Sequence, residues 1–174
     1  MKIIALSGRI GSGKSFVAGK VLLRAHNSYL VMFAKALKDE LVTMGFSWED
    51  VHEKKPPHIR ALLQALGNAR RAEDENYWVR PVLARLEQIK PSPGAVVAID
   101  DLRFPNEGVR LREWAAENGA DLQLVRLYRP DKPAVSQDIS ETAMDHWDDW
   151  DMIVTAQGGE LHKLRAAADA LVSP

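Results

Sequence analysis

The chain has 174 residues, with 23 Lys and Arg against 24 Asp and Glu and a formal net charge of −1. That length suits one domain with a sizeable core, and the balanced charge excludes the broad basic field that drives non-specific binding to nucleic acid. With no cysteine in the chain, disulfides, thiolate metal sites and a cysteine nucleophile are excluded too.

In chain order, residues 3–6 form a short apolar run bounded by Gly, the pattern of a strand buried on both faces of a parallel sheet. Residues 15–24 read as a helix, 29–33 as a second strand, and 34–44 as a helix closed by Gly45. The charged stretch 47–57, with Pro56-Pro57, is a connection with room for a short helical turn. Two helices follow, 58–71 and 76–89. After the turn Pro91-Ser92-Pro93-Gly94, residues 95–99 make the clearest buried strand, ending on Asp100-Asp101. Residues 106–118 are helical with Gly119 beyond them, 122–127 form a strand, and 128–137 a polar loop. A short helix at 139–147, a strand at 152–155, the turn Gly158-Gly159 and a closing helix at 160–172 complete the chain. Alternating strands and helices predict an α/β fold: three layers, α/β/α, around a mainly parallel five-stranded sheet with right-handed crossovers.

No apolar run approaches the roughly 20 residues that span a bilayer. The apolar start runs into a Gly-rich turn rather than a small-residue cleavage site. A cytoplasmic protein with neither a membrane nor a nucleic-acid partner is expected, and a homodimer is left open.

Gly8-Arg9-Ile10-Gly11-Ser12-Gly13-Lys14-Ser15 follows a strand and opens a helix, which is the context a phosphate-binding P-loop requires. Its glycines let the backbone curl and aim N–H groups at phosphate oxygens at the positive end of a helix. Lys14 then reaches the β- and γ-phosphates of ATP, and the Ser15 hydroxyl reaches Mg²⁺. A carboxylate at a neighbouring strand tip completes such a site. Asp100 is favoured for magnesium, with Asp101 its competitor, because successive strand residues face opposite ways.

Transfer to a phosphorylated acceptor needs cations that converge on two anions. Arg60, Gln64, Gly67 and Arg71 share one face of the 58–71 helix, where a Gly lets a ligand approach the backbone. Arg103 lies just beyond a strand's carboxyl end, where α/β sheets bind ligands. Arg126, Arg129 and Lys132 lie where a lid would close over ATP. Lys14, Asp100, Arg103 and Arg129 are the catalytic candidates, and Arg126 joins the loop as a candidate ATP ligand. Trp78, with Tyr77, is either core or a platform for a base. The five His residues show no metal-ligand spacing, and Asp145, Asp148, Asp149 and Asp151 read as a solvated acidic turn.

Several blocks resemble the bacteriophage deoxynucleoside monophosphate kinases. They are Leu6-Ser7-Gly8 through Ser15, Phe33-Ala34-Lys35-Ala36-Leu37-Lys38, Leu62-Leu63-Gln64-Ala65-Leu66-Gly67 with Arg71 and Tyr77-Trp78-Val79, Ile99-Asp100-Asp101-Leu102-Arg103-Phe104-Pro105-Asn106-Glu107, and Ile139-Ser140-Glu141. The resemblance implies a P-loop NTPase fold of the nucleoside monophosphate kinase type. It would comprise a core (1–32, 91–127, 139–174), a helical acceptor-binding region (33–90) and a short lid (128–138). It further implies ATP and Mg²⁺ as cofactors, a dNMP acceptor, and phosphorylation of dNMP to dNDP. Lys35, Gln64 and Arg71 would line the acceptor pocket, and Arg103 would sit beside the acceptor phosphate. Arg60, Gly67, Trp78 and Asp101 complete the candidate acceptor set. Where similar sequences often place a His two residues before the Ser-Glu pair, this chain has Asp138, so no role is carried over to that segment. A kinase for another phosphorylated acceptor, such as dephospho-coenzyme A or phosphomevalonate, and an ATP-dependent binding switch remain the alternatives.

Overall fold

The computed structural model describes residues 1–132 and 138–173. In chain order its elements are β1 (Lys2–Ser7), α1 (Lys14–Arg24), β2 (Ser28–Val31), α2 (Phe33–Thr43), a π-helical turn (Asp50–Lys54), α3 (Pro57–Glu73), α4 (Val79–Ile89), β3 (Val96–Leu102), α5 (Pro105–Asn118), β4 (Asp121–Tyr128), α6 (Ile139–Thr142), β5 (Met152–Thr155) and α7 (Leu161–Val172). The sheet is parallel throughout, in the order β2-β3-β1-β4-β5.

β1 is central, and Ile3 to Leu6 are fully buried because both faces of the strand are covered. Alternation sorts the apolar side chains between two cores. Ile3, Ala5, Val97, Ile99 and Leu124 pack on one side with Val82 and Leu86 of α4 and with Leu111 and Trp114 of α5. Ile4, Leu6, Ala98 and Val125 pack on the other with Val17 and Val21 of α1 and Leu171 of α7. The result is the predicted three-layer sandwich. A small satellite core of Leu41, Val51 and Ile59 ties α2 to the π-helical turn and α3.

Several boundaries move for local reasons. Phe33, read as strand, opens α2, since the Asp101 carboxylate accepts the backbone N–H groups of both Phe33 and Ala34 at 2.9 Å. α4 begins at Val79 rather than at residue 76, because the Asp74 side chain takes the Asn76 N–H at 2.9 Å and closes a turn there. The 139–147 helix ends at Thr142 and continues as turns. β3 runs on through both aspartates, with a register shift against β1: Ala5 faces Ile99 but Ser7 faces Leu102. One extra residue is thus accommodated where the carboxylates sit, a common place for a bulge.

Candidate active site

The phosphate loop joins β1 to α1 at the carboxyl edge of the sheet. Gly13 adopts φ +100° at the mouth of α1, and a Cβ there would lie 2.6 Å from the Leu164 side chain, so glycine is required on both counts. The first N–H groups of α1 have no intrahelical partner. The Ser12 hydroxyl is buried without a partner among the described residues. Inward-facing donors of this kind fit a phosphate chain. Lys14 is folded back on the loop, donating to the carbonyls of Gly8 and, at 3.0 Å, of Arg9. Burial, followed by the charge of Arg103, lowers its ammonium pKa to about 8.

The two strand-tip carboxylates diverge. Asp100 lies on the α1 side, where it accepts a hydrogen bond from the Ser15 hydroxyl at 2.8 Å. Asp101 turns to the other side and caps α2 with both oxygens. A hydroxyl and a carboxylate in contact beside the loop are the hard oxygen donors that Mg²⁺ takes, with water and phosphate completing its shell. No group of three or more His, Asp or Glu among the described residues forms a metal cage.

Arg103 reaches across to α6. Its Nη1 donates to the Glu141 carboxylate and, at 3.1 Å, to the Ser140 carbonyl. Its backbone N–H and that of Phe104 donate to Glu107 Oε2 at 2.7 and 3.0 Å. Arg71 lies 3.9 Å over the Phe104 ring, and 4.0 Å from Glu107 Oε1. On the far side of the loop Arg126 donates to the Ser7 hydroxyl at 3.0 Å and to Asp145 at 2.8 Å, while Arg9 meets the other Asp145 oxygen at 2.6 Å. Arg129 donates to the Gly11 carbonyl at 3.1 Å.

Between the core and helices α2 and α3 opens a cleft of about 560 Å³. Of the candidate residues, Gly11, Lys14, Ser15, Gln64, Arg71, Trp78, Asp100, Asp101 and Arg103 line it. Lys35 and Arg60 do not. Lys35 is exposed and pairs with Asp39 one turn on, and Arg60 is exposed and bonds the Lys55 carbonyl at 2.8 Å. Gly67 also lies outside the lining, and its smallness serves packing instead. A Cβ there would come within 3.2 Å of Arg71 and 3.4 Å of Leu37, and its carbonyl takes the Trp78 indole N–H at 3.2 Å. Tyr77 points away, to Glu40 at 3.1 Å.

Two cations of the cleft escaped the sequence reading, Lys38 and Lys55. Burial, then the charge of Lys55, lowers the pKa of Lys38. Neither ammonium makes a hydrogen bond or ion pair with a described residue, and Lys55 sits at φ +46° at the end of the π-helical turn. The acidic turn is also not simply solvated. Asp145 bridges Arg9 and Arg126, while Asp149 and Asp151 clamp Arg112. Of the predicted lid, residues 133–137 lie outside the described residues.

The chain matches no protein-family model. It is 28% identical over 149 residues to the uncharacterized protein ORF77 of Ictalurid herpesvirus 1 (strain Auburn), covering 84% of this chain and only 60% of the length of that relative. No helix among the described residues is long and apolar enough to cross a membrane. Among solved structures the chain is similar to the Mycobacterium tuberculosis APS kinase CysC in complex with AMPPNP and APS (TM-score 0.56, 17% identity, 99% of this chain and 98% of that one). It is also similar to a sugar kinase from Janibacter sp. HTCC2649 (0.53, 11%, 100% and 99%) and to the Deinococcus radiodurans tunicamycin resistance protein (0.51, 14%, 98% and 92%). At these identities the likeness concerns the fold alone, an α/β fold of the P-loop NTPase type.

Proposed function

We propose that the chain transfers the γ-phosphoryl group of ATP to the 5′-phosphate of a deoxynucleoside monophosphate, giving dNDP and ADP for DNA precursor synthesis. What carries this reading is one continuous cleft with the phosphate loop on one wall and Lys38, Lys55, Arg71 and Arg103 on the others. Two phosphates brought end to end repel each other, and this cation set is suited to holding both. Phe33, Leu37, Leu63, Trp78 and Phe104 supply apolar and aromatic surface to the same cleft, which suits a base and sugar.

In this reading the loop N–H groups and Lys14 hold the β- and γ-phosphates. Ser15 and Asp100 would hold Mg²⁺, which would offset the charge of the phosphates. Lys38 and Lys55, which line the cleft without an ion pair to a described residue, receive the acceptor phosphate. Arg103 lies between the two anions. The acceptor phosphate is already a competent nucleophile, so alignment and charge neutralisation suffice and no general base is required.

The test is an ADP-release assay with dAMP, dGMP, dCMP, dTMP, their ribose counterparts, dephospho-coenzyme A and phosphomevalonate. At least one deoxynucleotide is expected to turn over, and Lys14→Ala is expected to lower that turnover by about a hundredfold or more. Phosphorylation of a non-nucleotide acceptor alone would reassign the substrate. ATP hydrolysis indifferent to every acceptor would replace a transferase with a switch.

A further inference from the structure

The segment from Asp138 to Glu141 is built locally and aimed at the site. Asp138 caps α6 by accepting from the Ser140 N–H at 2.9 Å and the Ser140 hydroxyl at 2.6 Å, which places Glu141 on the first turn with its carboxylate buried. Buried glutamates are rare unless paired, and this one has two partners from distant parts of the chain. Oε2 accepts the backbone N–H of Ile10, inside the phosphate loop, at 2.8 Å. Oε1 accepts Arg103 Nη1.

A carboxylate beside a phosphate site removes positive charge that the site needs, so its presence there calls for a geometric reason. The Arg103 fork supplies one. Nη1 is anchored by Glu141 and the Ser140 carbonyl, whereas Nε and Nη2 make no hydrogen bond to a described residue. Half of the guanidinium is fixed and the other half is open to a phosphoryl group. Because the same carboxylate also holds the loop, the open edge is set at a fixed reach from wherever the loop holds the γ-phosphate.

We infer that Glu141 is a positioning residue that registers Arg103 against the phosphate loop, so that the guanidinium spans donor and acceptor phosphates. The inference rests on the phosphotransfer reading, though not on which acceptor is used. A misplacement of about 1 Å at such a group can cost about a hundredfold in rate.

The test is a double-mutant cycle of Glu141→Ala and Arg103→Ala, with turnover and Michaelis constants measured for the best acceptor and, without any acceptor, for ATP hydrolysis. Glu141→Ala is expected to lower kcat by about tenfold or more and to move the ATP Michaelis constant by less than about threefold, since only alignment is lost. On the Arg103→Ala background the same change should cost less than about twofold. Equal losses on both backgrounds, or an unchanged kcat in Glu141→Ala, would overturn the inference. Glu141→Gln preserves shape and one acceptor oxygen, so it carries the same cycle if the alanine variant does not fold, with an intermediate loss expected. A wild-type chain inactive with all acceptors and with water removes the phosphotransfer reading itself. Active wild type with additive losses removes only the role of Glu141.

Discussion

Glu107 is the most deeply buried acid of the site, at 2% exposure. It occupies the third position of α5 and reaches back to the N–H groups of Arg103 and Phe104, the side-chain half of a capping box. Burial, working against those hydrogen bonds, raises its pKa from 4.5 to about 8. The folded chain therefore keeps a proton between these values that the unfolded chain has lost. The stability contributed is complete below pH 4.5 and disappears as pH rises through about 8. Urea unfolding across that range should show the decline in wild type and its absence in Glu107→Gln, whose amide oxygen still accepts both N–H groups. Glu107→Ala leaves those donors unsatisfied and should cost about 1–3 kcal/mol. A pH-independent wild type would show that the carboxylate is ionised throughout.

Positions in the cleft were legible where a strand tip or a loop pattern fixed them, as at Lys14, Ser15, Asp100 and Arg103. Lys38 was within reach of the same reasoning. Ala34, Leu37 and Lys38 stand at i, i+3 and i+4 and face the cleft together, whereas Lys35 lies off that face. Glu141 left no such signal, because its partners lie 131 and 38 residues away.

At the scale of elements, β3 does more than build the sheet. Asp100 leaves it toward α1, and Asp101 toward α2. With both oxygens of Asp101 given to backbone donors, that strand residue serves as the N-terminal cap that the Met32 side chain does not provide. Asp101→Ala should destabilise the chain by about 1–2 kcal/mol, with Asp101→Asn intermediate. Unchanged unfolding in both would mean that α2 is held by the packing of Phe33 and Leu41 alone. Long-range capping of this kind explains why the β2–α2 boundary was misplaced in the sequence. Nothing near Phe33 announces a helix start, and an apolar Phe after Leu-Val-Met reads as strand. Strands β1 and β3 were legible because a parallel strand covered on both faces has few alternatives to a continuous apolar run.

Taken whole, the molecule is nearly neutral, yet it gathers its cations at the carboxyl edge of the sheet. Several of them carry a built-in counter-ion: Glu141 for Arg103, and Asp145 for Arg9 and Arg126. Lys38 and Lys55 also line the cleft without an ion pair to a described residue, and in the proposed reading an acceptor phosphate would be drawn to them first. Replacing either by Met should raise the acceptor Michaelis constant by about tenfold and leave that of ATP unchanged, with wild-type acceptor affinity falling as salt is added. Equal effects on both substrates would place the pair on the nucleotide path instead. Composition excluded a diffuse basic surface, but it gave no view of this local asymmetry, which arises only when the sheet brings α2 and the π-helical turn opposite the loop.

The contact of Lys14 with the carbonyls of Gly8 and Arg9 has a further consequence. The ammonium serves as the loop's internal cross-brace, tying the carbonyls of Gly8 and Arg9 together. Removing it is therefore expected to slacken the loop itself, apart from any loss of grip on a triphosphate in the proposed reading. Part of the defect in Lys14→Ala belongs to the resting protein, and amide exchange at residues 8 to 13 without any ligand is where that part can be seen.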